Sequence, residues 1–310
     1  MRNVRWLARV VWAGQSQAPE RSRHRGGRGS CRVEALAHRK TRLGRSLALP
    51  IVLTSLAVGC TSTASLQSKQ QLNSGYQALE HKDYNSAIAA AEQFLHEHPS
   101  GGPGTAEALY LEGRVYEERA TSEEAQNRQA QAKLDLQTAR ETYVHALSLP
   151  ADAKLIALIH AGVANTAYFQ EDYSTAMNEW AVAYPDIPQP DAKAWTLYRI
   201  GLCQQRLGRF DQADRTFATV RQNFPTSVPA QRAAEHIGAR AFYVQVGAYA
   251  DSANADRIVA SLQSQGYRAS KSVSPSGRQE VRVGPAYNYA DARVLLVRLQ
   301  SAYQDAMIEP

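Results

Sequence analysis

Gln245 and Arg282 are the residues of this 310-residue chain best suited to hold a polar ligand. Each stands second in a short alternating stretch, Val244-Gln245-Val246-Gly247 and Val281-Arg282-Val283-Gly284. If the valines face a core, the amide and the guanidinium face away from it. An amide both donates and accepts, and a guanidinium presents a fork of donors, so the pair suits hydroxyls, carbonyls and carboxylates. Tyr243, Tyr249 and Tyr287 flank the two stretches and offer flat apolar rings. This is the chemistry of binding. The signatures of catalysis are missing, with no GxSxG elbow, no HExxH and no G-x4-GK[ST] loop. His96 and His98 supply too few ligands for zinc, and the carboxylates of 117–124 follow one another along a polar segment without converging. The expectation is a protein that is not an enzyme and needs no cofactor or metal.

Two copies of one local unit must position these residues. The composition changes at Arg240; residues 242–249 and 281–284 alternate as strands do, and 252–265 and 289–301 carry apolar residues at helical spacing. Ala255-Asp256 matches Ala290-Asp291, and Leu262-Gln263-Ser264 matches Leu299-Gln300-Ser301. With short strands near 268–273 and 305–309 the order is β-α-β-β-α-β, a ferredoxin-like α+β arrangement with both helices on one face of the sheet. Gly247 and Gly284 are expected where each strand turns into its helix. Over 242–310 the chain resembles the SPOR family, on the blocks YVQVGAY at 243–249, SANADRIVASLQSQGY at 252–267, VRVGPAY at 281–287 and ADARVLLVRLQ. The resemblance implies binding, without cleavage, to peptidoglycan glycan strands that have lost their stem peptides. Gln245 matches the family's pattern, and Arg282 is its partner in the internal repeat. Both would then hydrogen-bond sugar hydroxyls, N-acetyl carbonyls or lactyl carboxylates, with Tyr243, Tyr249 and Tyr287 stacking on sugar rings.

Residues 66–239 repeat a different pattern. Asp83-Tyr84-(x2)-Ala87 with Pro99, Asp172-Tyr173-(x2)-Ala176 with Pro188, and Arg209-Phe210-(x2)-Ala213 with Pro225 resemble tetratricopeptide repeats, most clearly at 194–227. A further unit runs from Leu109 through Gly113 and Tyr116 and resumes at Ala139, Tyr143 and Ala146, across a polar insert at 117–135. Small residues such as Gly75, Ala87, Gly201 and Ala213 allow close helix approach. The resemblance implies an all-α array whose concave face holds a protein partner; a spacer is the plainer alternative.

The charge of the chain lies outside both regions. Of 35 basic and 29 acidic residues, residues 1–59 carry 12 and 2, which leaves 23 and 27 in 60–310. The net +6 therefore belongs to the leader and gives no reason to expect a nucleic-acid partner, and the aromatic-rich strand motif of RNA-recognition domains is missing as well. Residues 47–58, LALPIVLTSLAV, are too short to span a membrane and follow Arg39, Lys40, Arg42 and Arg45, as in a secretory signal. Leu56-Ala57-Val58-Gly59-Cys60 resembles the lipobox of bacterial lipoproteins, which implies cleavage before Cys60 and its lipidation; a plain secretory signal with an incidental cysteine is the alternative. Thr61, in the enteric version of that family, implies the outer membrane. The biological start is expected within the leader, near Val33 or Leu36. Cys203, left alone, is expected to be a buried thiol.

The domains expected are thus a leader at 1–59, a lipidated linker at 60–65, helical repeats at 66–239 and a SPOR-like domain at 242–310. The function expected is a lipid-anchored periplasmic glycan-binding protein of cell division or envelope maintenance. The alternative is an assembly scaffold for outer-membrane or secretion machinery that binds no glycan.

Overall fold

The computed structural model describes residues 60–122 and 128–310. The leader at 1–59, with its signal and its proposed start, lies outside the described residues. Nine α-helices come first among those described: α1 (Cys60–Glu80), α2 (Tyr84–Glu97), α3 (Thr105–Thr121), α4 (Gln129–Leu147), α5 (Ala153–Phe169), α6 (Tyr173–Ala183), α7 (Pro190–Arg206), α8 (Phe210–Asn223) and α9 (Val228–His236). They pack as successive hairpins, α1 on α2, α3 on α4, α5 on α6 and α7 on α8, each also touching the next pair. Residues 60–65, expected as a linker, are instead the start of α1; CTSTAS contains no glycine or proline to interrupt a helix.

Three of the hairpins turn in the same way. Lys82 (φ 59°), Glu171 (φ 65°) and Gly208 (φ 77°) are left-handed. The next amide in each case reaches back to close the helix end, from Asp83 to Ala78, Asp172 to Ala167 and Arg209 to Gln204, a Schellman turn. Only the third turn uses glycine. Asp83 and Asp172 then cap the following helices by accepting from the amides of Ser86 and Thr175.

Glycines on the first helix of a pair receive aromatic rings from a second helix, that of their own pair or of the preceding one. A Cβ at Gly113 would stand 2.7 Å from the Tyr143 ring, one at Gly162 2.5 Å from the same ring, and one at Gly201 2.6 Å from Phe217. Tyr143, Trp180 and Phe217 are almost wholly buried, and so is Cys203, whose thiol pKa burial pushes up to about 12. Of the polar insert at 117–135, residues 117–121 belong to α3 and 129–135 to α4. Glu117 and Asp135 prolong α3 and α4 inward: Glu117 accepts from Tyr143 Oη (2.8 Å) and Asn165 Nδ2 (2.9 Å). Asp135 accepts two hydrogen bonds from Arg119, at 2.7 and 2.8 Å. Buried charge made satisfiable by partners on other helices has no apolar periodicity, so the sequence there shows only a polar insert.

The last domain comprises β1 (Phe242–Tyr249), α10 (Ser252–Ser264), β2 (Ala269–Val273), β3 (Gln279–Ala286), α11 (Tyr289–Gln300) and β4 (Met307–Glu309). The sheet order is β2-β3-β1-β4, all pairs antiparallel. This is the expected ferredoxin-like α+β arrangement. Val244, Val246, Val281 and Val283 are buried against Ala255, Leu262 and Leu299 of the two helices.

The two domains meet through a packed joint. Phe210 of α8 packs against Phe242 of β1, which meets Tyr289 of α11 edge-on. Arg240 and the amide of Gly238 donate to Asp214, at 2.8 and 3.0 Å, and Arg293 pairs with Glu171. Gly208 serves this joint as well as its own turn, since a Cβ there would lie 2.5 Å from the Tyr287 carbonyl oxygen. No helix among the described residues is long and apolar enough to cross a membrane.

Candidate functional site

The face of the sheet turned away from α10 and α11 is set by strand register. Gln245 stands opposite Arg282 on β3 and opposite Met307 on β4, and Arg282 stands opposite Ser270 on β2. Paired residues in an antiparallel sheet share a face, so Ser270, Arg282, Gln245 and Met307 form one row across all four strands. Tyr243 beside Glu309, and Ser272 beside Glu280, lie on the same face to either side. The pairing expected between Gln245 and Arg282 is therefore direct.

Register also separates residues that sequence alternation had grouped. It slips between Gln245 and Gly247, which inserts one extra residue into β1. Beyond such a bulge the faces exchange. Tyr249 consequently packs on the helix side, with Tyr303 and the valine core, and not beside Gln245. Its place on the binding surface is corrected accordingly. Tyr287 is exposed but follows β3 and lies at the joint with the repeats, away from the row. Of the three tyrosines, Tyr243 alone shares the face of Gln245 and Arg282. Gly247 and Gly284 lie inside β1 and β3, not at their ends. At Gly284 a Cβ would come within 2.8 Å of the Tyr243 ring, so its absence gives that ring its place.

Two carboxylates complete the site. Arg282 donates to Glu280 at 2.7 Å and lies 3.3 Å from Glu309. With its amide turned to satisfy its neighbours, Gln245 donates from Nε2 to the Glu309 carboxylate. Burial raises the pKa of Glu309, Arg282 opposes that rise and Glu280 adds to it. Arg282 Nε and Ser272 Oγ are buried without a hydrogen-bond partner. The face thus holds preoriented donors, partly occupied by its own carboxylates, with bonding capacity left over. Groups of this kind can exchange an internal carboxylate for ligand oxygens; they contain no nucleophile paired with a base. No cluster of three or more histidine, cysteine or acidic side chains suited to a metal occurs among the described residues. Glu309 was missed as a site residue because a three-residue strand carries too little alternation to assign its faces.

The architecture is that of a helical-repeat array joined to a small split β-α-β domain. Residues 238–308 match the family model described as SPOR domain, and 195–227 match that of a tetratricopeptide repeat. The chain therefore carries tetratricopeptide-like repeats followed by a SPOR domain. No curated protein matches it. Solved structures similar to it include a MamA protein (18% identity, TM-score 0.42, covering 56% of this chain and 80% of that one). A tetratricopeptide repeat protein from Parabacteroides merdae is similar at 19% identity and TM-score 0.42, covering 65% of this chain and 67% of that one.

Proposed function

We propose that this protein is lipid-anchored at Cys60 in the bacterial envelope, on the periplasmic side and at the outer membrane. There its SPOR domain binds peptidoglycan glycan strands lacking stem peptides, while its repeats hold a protein partner. Its role is in cell division or envelope maintenance, and the activity is binding without catalysis. The observation that carries this reading is the coincidence of the SPOR match with the row formed by Gln245 and Arg282, beside Tyr243. An amide and a guanidinium suit N-acetyl carbonyls and lactyl carboxylates, and a tyrosine ring suits a sugar face.

The test is cosedimentation of the protein with isolated sacculi before and after amidase treatment. The protein should pellet more strongly after treatment, and Gln245→Ala or Arg282→Ala should weaken retention without changing the thermal unfolding midpoint. No retention on either preparation would refute the reading. One observation favours the alternative, a scaffold that binds no glycan: Glu309 already occupies both donors. On that reading the repeats bind their partner while amidase treatment has no effect on sedimentation.

A further inference from the structure

Between the repeats and the SPOR domain runs a cleft of about 460 Å³, within the range of roughly 300–1,000 Å³ usual for small-ligand sites. Its repeat side includes Tyr168, Glu171, Tyr198 and Arg206; its SPOR side includes Phe242, Tyr289, Met307, Glu309 and Pro310. Met307 and Glu309 also belong to the open sheet face, so the cleft continues the row of Gln245 and Arg282 past the β4 edge.

Arg206 is the unusual group here. Its guanidinium lies over three tyrosine rings, 4.7 Å from the centroid of Tyr168, 4.9 Å from Tyr173 and 4.4 Å from Tyr289. Its one hydrogen bond among the described residues is from Nη1 to Tyr173 Oη at 2.8 Å, and no carboxylate comes within 4.0 Å of it. Two of the cleft's other charged side chains have partners, Arg293 in Glu171 and Glu309 in Arg282. Ring faces stabilise a cation only in part, and a sheltered cation without a counter-ion is costly. A second polar atom in the same cleft is also unanswered: Tyr168, only 6% exposed, has a hydroxyl with no partner. A cation short of an anion, an orphaned hydroxyl and several ring faces together describe a site for an acidic, ring-containing ligand.

We propose that this cleft is a second subsite for the glycan strand. The chain leaves the open sheet face at Met307 and Glu309, enters between the domains, and sets a lactyl carboxylate on Arg206 with a sugar ring against the tyrosines. This inference rests on the glycan-binding reading above. It makes Arg206 a second group, beside Arg282, that senses ligand charge, whereas Gln245 serves ligands of either kind. A peptide carboxylate would suit the same cation, but the continuity with the sheet face favours the glycan.

Binding of the full chain to denuded glycan oligomers is compared with binding to the same oligomers after chemical reduction of their carboxylates to alcohols. The intact protein should bind the native glycan at least fivefold more tightly. Arg206→Gln should lose most of that preference, keeping only the part that Arg282 supplies, and Arg206→Lys should recover part of the loss. A role of Arg206 confined to holding the domains together would weaken both glycans equally. Hydrogen exchange on the intact protein supplies a readout free of folding defects, with protection by native glycan expected at 198–206 as well as in β1 and β3. Binding without discrimination, discrimination undiminished in Arg206→Gln, or protection confined to the sheet would each overturn the subsite alone. Failure to bind either glycan would overturn the glycan-binding reading with it.

Discussion

Mild acid should destabilise the end of the repeat array through one histidine. His236 closes α9, with its ring against Phe217 and Tyr198. Its hydrogen bonds suit the neutral ring: Nδ1 donates to Gln205 Oε1 at 2.9 Å, and Nε2 accepts from Tyr198 Oη at 3.1 Å. Burial, reinforced by the nearby charge of Arg206, pulls its pKa from the ordinary 6.5 down to about 4. Above pH 6.5 the ring is neutral in both the folded and unfolded chain, and the full stability is present. Between 6.5 and about 4 the unfolded chain takes a proton that the folded one resists, so stability falls with pH. Each tenfold change in proton affinity is worth about 1.4 kcal/mol, which gives a loss of about 2 kcal/mol at pH 5. Trp180 and Trp195 lie in the last two hairpins and report on this region. Urea unfolding followed by their fluorescence at about pH 7.5, 6 and 5 should show the loss, and His236→Gln should lack that component while retaining the slope due to carboxylates. Equal slopes in the two proteins would refute the assignment.

Three further outcomes are expected. Tyr143→Phe removes one of the two hydrogen bonds to buried Glu117 and should cost about 1–3 kcal/mol in urea unfolding; a loss under a few tenths would mean that water reaches the carboxylate. Gly201→Ala pushes a methyl group into the Phe217 ring; overpacking of about 1–3 kcal/mol outweighs a helix-propensity gain of about 1 kcal/mol, so the thermal midpoint should fall. Phe217→Leu in the same chain should lessen that penalty, and additive losses would argue against the contact. Glu309→Ala releases the donors of Gln245 and Arg282. For a partly exposed pair worth about 1 kcal/mol, retention on amidase-treated sacculi should rise a few-fold, while a fall matching that of Gln245→Ala would contradict a competing role for Glu309.

The reach of sequence reasoning followed the range of the interactions. Local periodicity was enough for the helix pairs and for the split β-α-β order, because Val244, Val246, Val281 and Val283 repeat on the pleat and Ala87, Ala176 and Ala213 recur in the second helices. It also placed Gln245 beside Arg282, since both belong to copies of one unit. The bulge after Gln245 was not legible. One extra residue leaves the hydrophobic pattern of β1 intact yet moves Tyr249 to the other face. Glu117 and Asp135 were hidden for a different reason: each is accommodated by a partner on another helix, Tyr143, Asn165 or Arg119. Neither the partnership of Gln245 with Glu309, 64 residues along the chain, nor that of Arg206 with Tyr289, 83 residues along, has any local signature.

The packed joint at Phe210, Phe242 and Tyr289 has a geometric consequence for whatever the repeats carry. A tether of loose chain would transmit only proximity. Here Asp214 grips the connecting residues Gly238 and Arg240, and Gly208 abuts the Tyr287 backbone, so the array and the sheet share one orientation. A glycan strand has two distinguishable ends. A protein seated on it through the sheet would hold its helical array along the strand in a fixed sense, and a bound partner would inherit a heading along the wall as well as an address on it.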